Sequence, residues 1–228
     1  MGNLLLLHGA IGSIDQFNSL SKELSLEFLT YTFNFPGHGG EPIPQSGFSI
    51  QLFAEATIAF MDKNKLEKVS IFGYSMGGYV ALYLAKYFPE RIEKVITLAT
   101  KFHWDELTAQ KEVRMLDADK IEAKIPAFAT ELQKRHAPVD WRSVLNHTSE
   151  MLLEMGKDNP LKREDYSTIK TPTLILLGDN DKMVTLEETI AVNELLPNSR
   201  LEILANTSHP LEQVDAEMLA SYIRDFNI

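Results

Sequence analysis

Residues 68–79 read Lys68-Val69-Ser70-Ile71-Phe72-Gly73-Tyr74-Ser75-Met76-Gly77-Gly78-Tyr79. An apolar run ending at Phe72 meets a glycine-rich hexapeptide and passes at once into Tyr79–Phe88, which has the composition of a buried helix. Gly-x-Ser-x-Gly is a modest signal on its own, but between a strand and a helix it acquires a mechanism. A sharp strand-to-helix turn forces Ser75 into strained backbone geometry and lifts its hydroxyl out of the sheet. Gly73 and Gly77 are then required because side chains there would collide across the turn. The helix that follows aims its N-terminal amides and positive dipole end at the space beside Ser75.

Working outward, short apolar runs alternate with longer amphipathic ones. Candidate strands are 4–7, 28–33, 68–72, 94–99, 173–177 and 201–204, each nearly continuous in hydrophobicity, as strands covered on both faces require. Helix candidates fall at about 14–25, 48–62, 76–88, 186–196 and 210–226. Thr185 with Glu188 makes a capping box, and Pro210 suits the first turn of the last helix. The pattern predicts an α/β, doubly wound, mainly parallel six-stranded sheet of order 2-1-3-4-5-6 with helices on both faces.

The alternation breaks between the fourth and fifth strands. Residues 101–170 hold no strand pattern and several helical stretches, one broken at Pro126 and another running over Trp141–Met155. The division expected is a catalytic core of 1–100 and 171–228 carrying a helical cap at 101–170. Packing accounts for the stripe of Trp141, Val144, Leu145, Met151, Leu152 and Met155, and a lid whose inner face meets substrate is the sharper alternative. Its Met and Trp content also admits a homodimer interface.

The chain has 228 residues, 44% hydrophobic and 24% charged, enough to build one large core. With 22 Lys and Arg against 32 Asp and Glu, the formal net charge of −10 argues against nucleic acid or an anionic membrane as partner. The acidity is uneven. Residues 101–170 carry 12 basic and 13 acidic side chains, leaving most of the negative charge on the core; a solvated surface is the default account, and a preference of the cap for anionic groups enters as a hypothesis. Cysteine is absent, which excludes a catalytic thiol and a disulfide framework and fits a reducing cytoplasm. The leucines near the N-terminus lack a basic n-region and are interrupted by His8-Gly9, so they read as a buried strand rather than a leader.

A serine hydroxyl needs a base, and the base needs an orienting group. Downstream, Gly178-Asp179-Asn180-Asp181 follows the fifth strand and Asn206-Thr207-Ser208-His209 follows the sixth, both at the sheet edge that holds Ser75. The expected triad is Ser75, Asp181 and His209. Asp179 is the competing carboxylate, but a residue farther out on the loop reaches the imidazole more readily, and Asp179 suits a turn cap. If the first and third strands are neighbours, the amides of Ala10 and Met76 face each other and form an oxyanion hole. His8 is expected to brace its loop, His38 to serve a glycine-rich turn, and His103, His136 and His147 to be surface or packing residues. No histidine pair has supported metal-ligand spacing, so neither metal nor cofactor is expected.

His8-Gly9, Phe35-Pro36-Gly37-His38-Gly39, Gly73-Tyr74-Ser75-Met76-Gly77-Gly78, Gly178-Asp179-Asn180-Asp181 and His209 together resemble the α/β-hydrolase superfamily, in the branch with a helical cap after its sixth sheet strand. The resemblance covers essentially the whole chain. It implies Ser75 as nucleophile, Asp181 as acid, His209 as base and residues 101–170 as cap. It also implies an antiparallel hairpin ahead of the strand ending in His8-Gly9; with that strand beginning at residue 3, the expectation is that the hairpin is missing. Asn34 stands where the family commonly has an acid. A serine nucleophile argues against epoxide hydrolase or haloalkane dehalogenase chemistry, and His8-Gly9-Ala10-Ile11 is not the triple-glycine type of hole. The function expected is hydrolysis of a small carboxylic ester or thioester through an acyl-enzyme on Ser75. The alternatives are a C–C bond hydrolase or lyase using the same triad, and a non-catalytic ligand-binding protein on this scaffold.

Overall fold

The computed structural model describes residues 1–227. Its strands are β1 (Gly2–Leu7), β2 (Phe28–Thr32), β3 (Val69–Tyr74), β4 (Ile92–Leu98), β5 (Thr173–Gly178) and β6 (Ser199–Leu204). All pair in parallel in a single sheet of order β2-β1-β3-β4-β5-β6, the predicted topology. The helices are α1 (Asn18–Leu24), α2 (Ile50–Lys63), α3 (Met76–Tyr87), α4 (Glu106–Val113), α5 (Ala118–Lys124), α6 (Pro126–His136), α7 (Trp141–Lys157), α8 (Arg163–Tyr166), α9 (Leu186–Leu195) and α10 (Ala216–Asn227).

Leucines alternate to the two faces of the central strands. Leu4 and Leu6 join Leu20 and Leu24 of α1 and Leu219 and Ile223 of α10, whereas Leu5 and Leu7 join Phe53 of α2 and Tyr79 and Val80 of α3. Every residue of β3 is buried, as expected for a strand covered on both sides, and the edge strands β2 and β6 are only partly covered. Each fully buried leucine contributes about 1.5–3 kcal/mol over an exposed one, so the sheet centre dominates cohesion.

Between β4 and β5 the chain is helical, α4 to α8. Helix α4 lies on α7 because Gly156 has no side chain: a Cβ there would sit 2.6 Å from that of Ala109. Most boundaries fall within two residues of expectation, and two elements depart further. The last helix begins at Ala216, where Asp215 Oδ1 accepts from the Met218 amide at 2.9 Å; Pro210 instead precedes a separate 3-10 turn, Leu211–Gln213, followed by extended Val214. Burial of Leu211 in the core draws that turn away from the helix axis. The stretch 14–25 likewise divides into a 3-10 turn, Ile14–Phe17, and α1. The capping box forms as read, Thr185 Oγ1 accepting from the Glu188 amide at 3.2 Å while Glu188 accepts from the Thr185 amide at 3.2 Å.

Register places Leu7 beside Gly73, which brings the loops after β1 and β3 together. The approach depends on Gly77, where a Cβ would lie 2.1 Å from the Leu7 carbonyl oxygen. The atoms it would meet, the Leu7 and His8 carbonyls, are backbone, so no rotamer change relieves the clash. Gly77→Ala is therefore expected to lose at least about 2 kcal/mol of stability in urea titrations despite its better helix propensity. Gly2→Ala, whose Cβ would meet only the Phe28 ring at 3.5 Å, should stay within about 0.5 kcal/mol of the parent. Equal stability of the two variants would refute this reading of the turn.

Candidate active site

Ser75 sits between β3 and α3 at φ 52°, ψ −117°, a backbone conformation strained for any residue with a side chain. Neighbouring groups hold it there. Its amide donates to the Leu98 carbonyl at 2.8 Å, and its own carbonyl accepts from Thr100 Oγ1 at 3.0 Å and the Gly78 amide at 3.0 Å. Gly73 allows the tight return, since a Cβ there would come within 2.4 Å of the Gly77 oxygen. Gly9 does the same from the β1 side, where a Cβ would meet the Tyr74 ring at 2.9 Å.

The loops after β5 and β6 are fastened to each other. A Cβ on Gly178 would come within 2.2 Å of the Thr207 oxygen, so glycine permits the contact. The Asn180 amide donates to the Thr207 carbonyl at 3.0 Å, and Asp179 Oδ1 accepts from the Thr207 amide at 3.1 Å. Asp179 is thus spent on the loop junction. Asp181 Oδ2 meets His209 Nδ1 at 2.8 Å, and its Oδ1 accepts from the amides of Met183 at 2.8 Å and Val184 at 2.9 Å. Burial alone would raise the Asp181 carboxyl, but the His209 hydrogen bond and charge, with the two amides, hold it below the usual carboxylate range. A carboxylate only accepts, so Nδ1 of His209 carries a proton, and the neutral tautomer this selects has its lone pair on Nε2.

Ser75, His209, Ala10 and Met76 all line one cavity of about 330 Å³. The structure thus brings together the five expected residues, with Asp181 behind the imidazole; among the described residues no hydrogen bond joins Ser75 to His209. Further walls come from Trp104, Glu112 and Met115 in and around α4, and from Met151, Leu152 and Met155 of α7. The methionine stripe of α7 therefore serves both packing and the cavity.

Sequence reading did not foresee how the β1 loop is held. Ile11 has φ 53°, and its carbonyl accepts from Arg135 Nη1 at 3.1 Å and His136 Nε2 at 3.1 Å, both at the end of α6. His136 Nδ1 in turn accepts from the Gly39 amide at 3.1 Å. Asn34, the departure from the commonly acidic position, accepts from the Ile14 amide at 2.9 Å and donates to the Gly39 carbonyl at 3.1 Å, a pairing no carboxylate could complete. His8 braces its loop as expected, accepting at Nε2 from the Phe35 amide at 3.1 Å. His103 and His147 pair with Asp105 and Glu150 near the surface.

His8, His38 and His136 lie against one another, His38 tilted on His8 and edge-on to His136, with ring centroids 5.2 and 5.8 Å apart. Burial pushes His8 and His136 down to about 4 and His38 well below its ordinary 6.5, outweighing their backbone hydrogen bonds. Unfolded, each binds its proton near pH 6.5, so between about pH 6.5 and 4 the unfolded chain holds more protons and stability falls with pH. Urea unfolding at intervals from pH 7 to 5 should show this loss, with proton uptake on unfolding approaching about three. A flat profile would contradict neutral burial of the cluster.

The parallel sheet, the strained serine turn and the fastened loops after β5 and β6 define an α/β scaffold that gathers these residues at its carboxyl edge. Residues 2–168 match the family described as alpha/beta hydrolase fold, and the chain belongs to that family. It is similar to a pimeloyl-acyl-carrier-protein methyl ester esterase of Neisseria meningitidis, 26% identical over 243 residues covering 97% of this chain and 75% of the relative. Among solved structures it resembles a hydrolase from Pseudomonas aeruginosa (TM-score 0.81, 14% identity, 99% of this chain and 89% of that one). A thermophilic esterase from Thermogutta terrifontis has a similar fold (TM-score 0.79, 22% identity, 100% and 89%). The protein is an enzyme of the hydrolase class. No helix among the described residues is long and apolar enough to cross a membrane.

Proposed function

We propose that the protein is a serine hydrolase that cleaves a small carboxylic ester or thioester through an acyl-enzyme on Ser75. The observation that carries this is the shared cavity: a strained serine at a helix N-terminus faces the same space as a histidine whose Nδ1 is bound by a buried carboxylate. Similarity to a methyl ester esterase supports an ester as the substrate.

In this reading, substrate seating completes the hydrogen bond between the Ser75 hydroxyl and His209 Nε2. His209 takes the proton as Oγ attacks the carbonyl carbon, and the tetrahedral oxyanion lies against the amides of Ala10 and Met76. Each such donor stabilises the transition state by about 2.7–4 kcal/mol. The imidazolium, held by Asp181, then protonates the departing alcohol or thiol. Water, deprotonated by the same imidazole, attacks the acyl carbon, and Ser75 leaves with the proton. No cofactor takes part in this sequence. Helices α4 to α8 act as a cap over core residues 1–100 and 171–228, excluding water and limiting the size of the acyl or alcohol portion.

Initial rates on a short-chain p-nitrophenyl ester test the assignment. Ser75→Ala and His209→Ala should each lose at least about four orders of magnitude in kcat, and Asp181→Asn about as much, because an amide permits the wrong imidazole tautomer. Asp179→Asn should keep kcat within a few-fold of the parent. Parental activity in Asp181→Asn would remove Asp181 from the triad; parental activity in Ser75→Ala would sink the proposal.

A further inference from the structure

The cavity wall contains a largely buried carboxylate with no hydrogen-bond donor among the described residues. Glu112, near the end of α4, is 5% exposed and lines the cavity. Among the described residues its one ion-pair partner is Lys101, at 3.6 Å, beyond hydrogen-bond distance. Lys101 gives its short bond to the Met183 carbonyl at 2.6 Å and also faces Glu188 at 3.7 Å. Glu188, by contrast, is satisfied by the amides of Phe102 at 2.9 Å and Thr185 at 3.2 Å. One ammonium thus serves two carboxylates, the local charge is negative, and Glu112 alone lacks a donor. Its oxygens are not among the fully enclosed, unpartnered polar atoms, so they keep access to a polar partner, and the side of Glu112 left open is the cavity.

We infer that Glu112 is a specificity residue, binding a hydroxyl or ammonium group carried by the substrate portion that enters beneath α4 and α7. This rests on the ester hydrolase reading. Gly156 holds α4 against α7, so the carboxylate sits on a rigid element. The cationic residues of the wall are already engaged: Lys101 as above, and Arg135 with the Ile11 carbonyl, Glu131 and Glu212. A carboxylate on the substrate would meet Glu112 without a free cation to offset it, which reverses the anionic preference suggested by the cap's composition.

The test compares kcat/KM for the ethyl esters of hexanoate, ω-hydroxyhexanoate, ω-aminohexanoate and adipate (monoester) in the parent, Glu112→Gln and Glu112→Leu. In the parent, the hydroxy and amino esters should exceed the monoadipate by about ten- to a hundredfold, the range of a hydrogen bond to a charged group. Glu112→Gln should keep the hydroxy ester and lose about tenfold on the amino ester, and Glu112→Leu should lose both while retaining the plain hexanoate. If Glu112→Leu does not fold, the isosteric Gln variant decides the matter through the amino ester. Calorimetric binding of ω-aminohexanol to Ser75→Ala, with and without Glu112→Gln, separates the two readings. Ester inactivity of the parent with Glu112-dependent binding would overturn the hydrolase reading alone. Ester turnover with no discrimination, or equal losses on all four esters, would overturn the subsite.

Discussion

The backbone contact between Gly77 and the end of β1 governs much else in the molecule. Because nothing larger than hydrogen fits against the Leu7 carbonyl, the N-terminus of α3 settles directly over the β1 loop. Ser75 is then left at φ 52°, and Met76 and Ala10 face one cavity. The strain is local and small against the burial of the central strands, whose leucines on both faces fix the positions of α1, α3 and α10. A rigid sheet therefore pins a strained turn, and the strained turn exposes a hydroxyl.

The remaining site is built by loops fastened to loops. Gly178 lets the β5 loop touch Thr207, and that junction sets Asp181 behind His209. On the far side of the cavity the Ile11 carbonyl draws Arg135 and His136 from α6, so the helical segment and the β1 loop share one anchor. Movement of that segment would accordingly be felt at the Ala10 amide.

Much of this was legible in the sequence because each signal was local. Continuous apolar runs marked strands buried on both faces, and the glycines around Ser75 marked a turn whose sterics are set within a few residues. The order Ser75, Asp181, His209 could be read because parallel strands deliver their loops to one edge. Contacts between distant segments were not legible. Nothing near His136 in the sequence announces that it meets Gly39 and Ile11, and nothing near Asn34 announces that its amide donates to the Gly39 carbonyl. Glu112 reads as one more charge on a polar helix; its burial comes from the way α4 packs on α7. Pro210 misled because burial of Leu211 set a turn where a helix start was expected.

The central claim is that Ser75 carries the acyl group during turnover. Rapid acid quench of the protein with an ester whose acyl group deacylates slowly, followed by mass spectrometry of the peptide containing residues 73–78, measures this directly. An acyl adduct on Ser75 that forms at the rate of the product burst and decays at the turnover rate is predicted. Continued ester turnover with no adduct on that peptide would contradict it.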